Sequence, residues 1–137
     1  MSMLNTYDHT KVNISLNGVA LTDFNGDVTI ERQGDDWAVV QGSNGAVERS
    51  KLVNKLYTVT LPMMQTSDQL NVLEGIRVAD EQTNAGPFPF AITDLNGSYL
   101  FYGSAWIQSM GTVTKGREAQ ARTITLAAKA EVVFEGA

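Results

Sequence analysis

The sequence predicts a mainly β protein, two antiparallel sheets in a sandwich- or barrel-like arrangement with one α-helix over about residues 67–81. Three observations carry this expectation. Val, Ile and Thr supply 32 of the 137 residues, and stiff β-branched side chains suit the pleated surface of a sheet. Four Asn-Gly pairs, at Asn17-Gly18, Asn25-Gly26, Asn44-Gly45 and Asn96-Gly97, separate alternating segments, and both residue types accept the positive φ of hairpin turns. A single stretch replaces alternation with helical spacing.

Taken in order, Lys11 to Leu16, Asp27 to Gln33, Trp37 to Gln41 and Ala46 to Ser50 read as strands, with Val28, Ile30 and Arg32 alternating against Thr29 and Glu31. Leu56 to Leu61 follows, its Leu56, Thr58 and Thr60 opposing Tyr57, Val59 and Leu61. Thr66-Ser67-Asp68-Gln69 then offers a capping hydroxyl, and Leu70, Leu73, Ile76 and Arg77 recur at helical spacing. Asn84-Ala85-Gly86-Pro87 ends the helix, and Phe88 to Thr93 with Tyr99 to Gln108 makes a hairpin around Asn96-Gly97. The last strand, Arg122 to Phe134, places Ile124, Leu126, Ala128, Ala130, Val132 and Phe134 on one face. Its other face carries Thr123, Thr125, Ala127, Lys129, Glu131 and Val133 and must look at solvent or a wet cavity.

At 137 residues the chain is expected to be a single domain, residues 1–137, with 1–10 as a flexible N-terminal arm. Charged residues are only 18% against 43% hydrophobic, which excludes a disordered or coiled-coil chain. The net charge of −5 gives no drive onto nucleic acid or an anionic membrane. No run approaches a membrane span and the start lacks a signal-peptide pattern, so a soluble protein made in a cytoplasm is expected.

Residues for chemistry are scarce. The absence of Cys removes thiol nucleophiles, disulfides and thiolate metal sites. His9 is the only histidine, so no His triad or multi-His metal site can form within one chain. Asp23-Phe24-Asn25-Gly26-Asp27 resembles the start of a calcium loop, but Val28 and Gly34 stand where the sixth-position Gly and twelfth-position Glu belong, so it reads as a turn. The neighbouring Asp35 and Asp36 read as solvated, and Thr114-Lys115-Gly116-Arg117 lacks the spacing of a phosphate loop. No enzyme, metal or cofactor is expected. The basic cluster Arg49, Lys51 and Lys55 is read as a solvated loop or a protein contact, with Asp35, Asp36, Asp80 and Glu81 as the acidic groups available on another copy.

The order of motifs then becomes informative. Leu21-Thr22-Asp23-Phe24-Asn25-Gly26-Asp27-Val28, Asp35-Asp36-Trp37 and Gly42-Ser43-Asn44-Gly45 resemble the opening half of tail tube proteins of contractile-tailed bacteriophages. Arg49-Ser50-Lys51, Tyr57-Thr58-Val59-Thr60-Leu61 and Gln65-Thr66-Ser67 resemble that family's stacking loop, strand and helix start. Phe88-Pro89-Phe90, Asp94-Leu95-Asn96-Gly97, Ala105-Trp106-Ile107 and the closing strand follow its order, so the resemblance runs from about Lys11 onward.

The resemblance implies a tail-tube fold assembling as six-fold rings that stack into the hollow inner tube of a myovirus tail. The implied partners are further copies of the chain, the sheath, a baseplate or tube initiator, a tape-measure protein and a tail terminator. DNA would cross the lumen without specific binding, in a virion assembled in the host bacterial cytoplasm. The helix would lie over the outer side of the sheet. Thr29, Glu31, Thr123, Thr125 and Glu131, with Lys129 as a cationic exception, are expected to line the lumen. The stretch 42–55 is expected to reach the next ring, with Arg49, Lys51 and Lys55 meeting Asp35, Asp36, Asp80 and Glu81. The alternatives are the tube of a type VI secretion or bacteriocin-like system and, from another class, a small-ligand-binding β-barrel.

Overall fold

The computed structural model describes residues 7–53 and 55–136. Most of the expected N-terminal arm and Asn54 of the basic stretch therefore lie outside the described residues. The chain begins with a 3-10 turn at His9–Lys11, capped by the Asp8 carboxylate, which accepts from the Thr10 backbone N–H. Among the described residues nine strands and one α-helix follow: β1 (Val12–Leu16), β2 (Val19–Leu21), β3 (Thr29–Arg32), β4 (Trp37–Gln41), β5 (Val47–Lys51), β6 (Leu56–Met64), α1 (Gln69–Thr83), β7 (Phe88–Asp94), β8 (Tyr99–Ser109) and β9 (Ala121–Glu135).

As the alternation predicts, these form two antiparallel sheets with one helix. The large sheet has seven strands in the order β2-β1-β7-β8-β9-β6-β3, and the small one is the β4–β5 hairpin. Both sheets are open. The large one curls strongly, because Val12 and Ile14 near one end and Val28 and Ile30 near the other line the same cleft of about 270 Å³. Period-two alternation sends Ile14, Leu16, Tyr57, Val59, Leu61, Phe90, Ile92, Phe101, Leu126 and Ala128 into one core. Tyr57 and Phe101 meet edge to face with centroids 5.0 Å apart, and Phe101 meets Phe90 at 5.9 Å.

Several expectations change. The strand β2 was not foreseen, and it pairs with β1 across Asn17-Gly18, where φ values of 50° and 81° give the left-handed turn that a two-residue hairpin requires. Asn25-Gly26 is not a hairpin turn, since β2 and β3 lie at opposite ends of the sheet. The helix begins at Gln69 rather than 67. Ser67 Oγ accepts from the Gln69 N–H, while the Gln69 side chain reaches across to the Thr22 and Asp23 N–H groups and the Ala20 carbonyl. Leu70 and Leu73 join the core cluster, so the helix packs on the core side of the sheet, the face opposite Thr60 and Thr125.

The largest correction is in β9. Its register against β8 passes from Gly103↔Ala130 to Tyr102↔Val132, leaving Glu131 as the extra residue of a β-bulge. One added residue inverts every later side chain. Val133 therefore packs against the core, while Val132 and Phe134, expected inside, are 53% and 60% exposed.

Candidate functional site: two surfaces for assembly

Among the described residues no group of His, Cys, Asp and Glu could hold a metal, and no polar or charged side chain is buried. Two exposed surfaces stand out in the fold.

The first is the outer face of the large sheet. Register places Thr29 opposite Thr60, Thr60 opposite Thr125, and Thr125 opposite Ser109, a hydroxyl row crossing four strands. Beside it Glu31 faces Thr58, and Thr123 faces Pro62. Five of the six sequence-selected wall residues, Thr29, Glu31, Thr123, Thr125 and Lys129, thus share one face; Glu131 stands at the bulge and is exposed. Thr58 and Thr60 complete the wall and were legible from the alternation of β6. The Gln33 side-chain amide donates to Thr58 Oγ1 at 2.9 Å, which fills part of the wall with neutral groups.

Beyond the bulge the same face turns apolar. Leu100 lies opposite Phe134 and Tyr102 opposite Val132, and all four are at least 38% exposed. Among the described residues these four adjoining apolar side chains are left partly exposed as one contiguous patch. A bulge bends its strand, so the patch is re-aimed relative to the threonine wall.

The second surface is the β4–β5 hairpin. Of its strand residues only Ala38 is even half-buried, and Val39, Val40 and Val47 are 64–68% exposed. The Arg49 guanidinium lies over the Trp37 ring, 4.2 Å from its centroid. An isolated two-stranded ribbon is marginal in water. What fixes this one is its root, where Leu52 N–H donates to the Asp36 carbonyl.

A polar knot ties that root to the large sheet. Arg32 donates to the Tyr57 hydroxyl at 2.8 and 2.9 Å and pairs with Asp36 at 2.6 Å and Glu135 at 3.0 Å. The Tyr57 hydrogen bond, with both carboxylates, raises the Arg32 pKa, so it is a fixed cation. Burial, with Glu135 nearby, pushes Tyr99 up to about 12. From the sequence Arg32 reads only as a strand residue alternating with Val28 and Ile30 against Thr29 and Glu31, because its pairing depends on the fold bringing Glu135 beside it.

The acidic groups expected to meet a neighbour largely have partners at home. Asp36 holds Arg32, Glu81 pairs with Arg77 at 2.9 Å, and Asp80 accepts from the Gly86 N–H at 3.0 Å. Arg77 also pairs with Glu74, whose pKa it lowers. Arg49, Lys51 and Lys55 are exposed.

No protein-family model and no curated protein matches the sequence. The fold, however, is similar to that of two solved structures over nearly the whole chain. One is the PVC sheath/tube terminator of an extracellular contractile injection system in its extended state, with TM-score 0.64 and 14% identity over 97% of this chain and 98% of that one. The other is the tube-terminating cap of the anti-feeding prophage, with TM-score 0.64 and 13% identity over 94% and 91%.

Proposed function

We propose that this chain is a non-enzymatic structural subunit of the axial tube of a contractile injection machine, assembling as six-fold rings that stack into a hollow tube. The observation that carries the reading is fold similarity from end to end with two tube terminators of such machines. The order of sequence motifs independently favours a phage tail tube, through which DNA passes to the host. Sheath, baseplate, tape-measure and terminator proteins are the partners that this role entails.

The threonine wall fits the lumen. It is hydroxylated, carries only Glu31 and Lys129 as charges, and belongs to a chain of net charge −5. A passing polyanion finds hydrogen-bonding water there and no cationic track on which to stall. The hairpin and the following stretch to Lys55 are assigned to contact between copies, with Arg49, Lys51 and Lys55 as the cations they offer.

A second reading, that the chain ends a tube rather than extends it, is favoured by the names of the two structural neighbours. The ligand-binding barrel has less support. A second cleft of about 780 Å³, adjoining the one between the sheet ends, has Thr10, Asn13, Thr22 and Asp27 in its lining, but none of these polar side chains is buried so as to orient a ligand.

Negative-stain microscopy of the purified protein over a concentration series tests the proposal. Tubes that lengthen with concentration support the tube subunit, and single closed rings that never lengthen support the terminator. A protein that remains monomeric both alone and with a tube initiator would overturn both readings.

A further inference from the structure

We propose that the β4–β5 hairpin of one copy lies on the apolar patch around Tyr102, Val132 and Phe134 of the copy beside it in the same ring. The inference rests on the ring-subunit reading and names the partner of its hairpin. It arises from two surfaces that a single chain leaves uncovered.

The hairpin register pairs Trp37 with Lys51, Val39 with Arg49 and Gln41 with Val47, so these six side chains share one face. That face is an apolar stripe set among cations. The patch is its complement, apolar across Leu100, Tyr102, Val132 and Phe134, with the Glu131 carboxylate at the bulge and Lys129 two residues before it in β9. Placing one on the other removes both apolar faces from water and gives Arg49 and Lys51 a carboxylate. The acidic groups first considered for them are less available, since Asp36, Asp80 and Glu81 are engaged in their own chain.

The geometry also selects the direction. Arg32 binds Asp36 at the hairpin root and Glu135 at the end of β9, so hairpin and patch belong to the same end of the large sheet. Copies standing side by side at one level bring a hairpin to a neighbour's patch. Copies stacked along the strand direction would instead bring it to the opposite end of β9, around Ala121 and Thr123. A contact between two different surfaces is heterologous, and repeated at one level it closes a ring when the rotation between copies divides a full turn.

The chain has no cysteine, which makes the contact directly testable. Val39→Cys protein is mixed with Val132→Cys protein and oxidised, alongside each variant alone. Both sites are exposed, and matching thermal melts with the parent protein establish that the variants fold. Docking raises the effective thiol concentration, so the mixture is expected to yield covalent dimer at about tenfold or more above either variant alone. The dimer should appear in isolated rings as well as in tubes. Equal yields in mixture and controls, with rings still visible in micrographs, would overturn this contact and leave the ring reading standing. Crosslinking confined to stacked tubes would overturn the side-by-side direction. If neither variant nor parent forms any assembly, the contact and the ring reading fall together.

Discussion

The large sheet and the β4–β5 hairpin are built from the same kind of residue, yet they stand at opposite extremes of burial. In β6 the alternation sends Tyr57, Val59, Leu61 and Met63 to 0–1% exposure, whereas Val39, Val40 and Val47 of the hairpin are more than half exposed. Hydrophobic stabilisation depends on the area removed from water and not on residue type. A strand stabilises this monomer only where the curled sheet and α1 supply a second wall. The hairpin has no second wall within the chain, so its valines contribute only when another molecule covers them.

That contrast can be broken most severely at Gly103. A Cβ there would come 2.1 Å from the Lys129 carbonyl oxygen, at the β8–β9 bulge. Gly103→Val is expected to cost more than about 3 kcal/mol or to abolish soluble expression, because backbone cannot yield as a side-chain tip can. Urea denaturation measures this, and a melt within a few degrees of the parent would contradict the close approach. Phe101→Ala removes the ring between Tyr57 and Phe90 and should cost about 3–5 kcal/mol by the same assay.

Intermediate effects belong to the knot joining the two regions. Arg32→Met leaves the Tyr57 hydroxyl and Glu135 without their cation and should cost about 1–2 kcal/mol. It should also loosen the hairpin root, read as faster amide exchange at Leu52, whose N–H bonds the Asp36 carbonyl. Tyr99 gives a pH signature. Its folded pKa is raised to about 12 above an ordinary 10, so the neutral phenol is favoured in the folded state. The corresponding stability is fully present below pH 10 and is lost as pH rises from 10 toward 12. Tyr99→Phe should flatten that alkaline decline in denaturant titrations, and an unchanged slope would remove Tyr99 as its source.

The smallest effect on the monomer is expected in the hairpin itself. Val40→Thr, on a side chain 64% exposed, should shift unfolding by less than about 0.5 kcal/mol. If the same substitution costs several times more, the hairpin is covered in solution even before assembly, and the contrast between the regions is softer than the single chain implies.

How much of the molecule the sequence disclosed follows from the range over which each feature is decided. The alternation over Arg122 to Ala130 places Ile124, Leu126, Ala128 and Ala130 inside, because facing is set residue by residue along a pleat. The same reasoning fails at Val132 and Phe134. The bulge at Glu131 arises where Gly103 lets two backbones approach, and nothing near Glu131 in sequence announces that. Sheet order was equally hidden. The chain reads as two runs of strands about a helix, but the first run divides between the two ends of the sheet, with β7, β8 and β9 lying inside.

By itself the sequence determined the β class, the single helix, the hairpin turns at Asn17-Gly18, Asn44-Gly45 and Asn96-Gly97, and the alternation that sets Thr29 with Glu31 in one strand and Thr123 with Thr125 and Lys129 in another. These are local matters of dihedral preference and two-residue periodicity. Only the tertiary structure decided that these residues join Thr58 and Thr60 in a hydroxyl wall, that an apolar patch lies beyond the bulge, and that Arg32 anchors the hairpin beside it. Each of these depends on which strands become neighbours, and that choice is made by burying one common core across residues far apart in the chain.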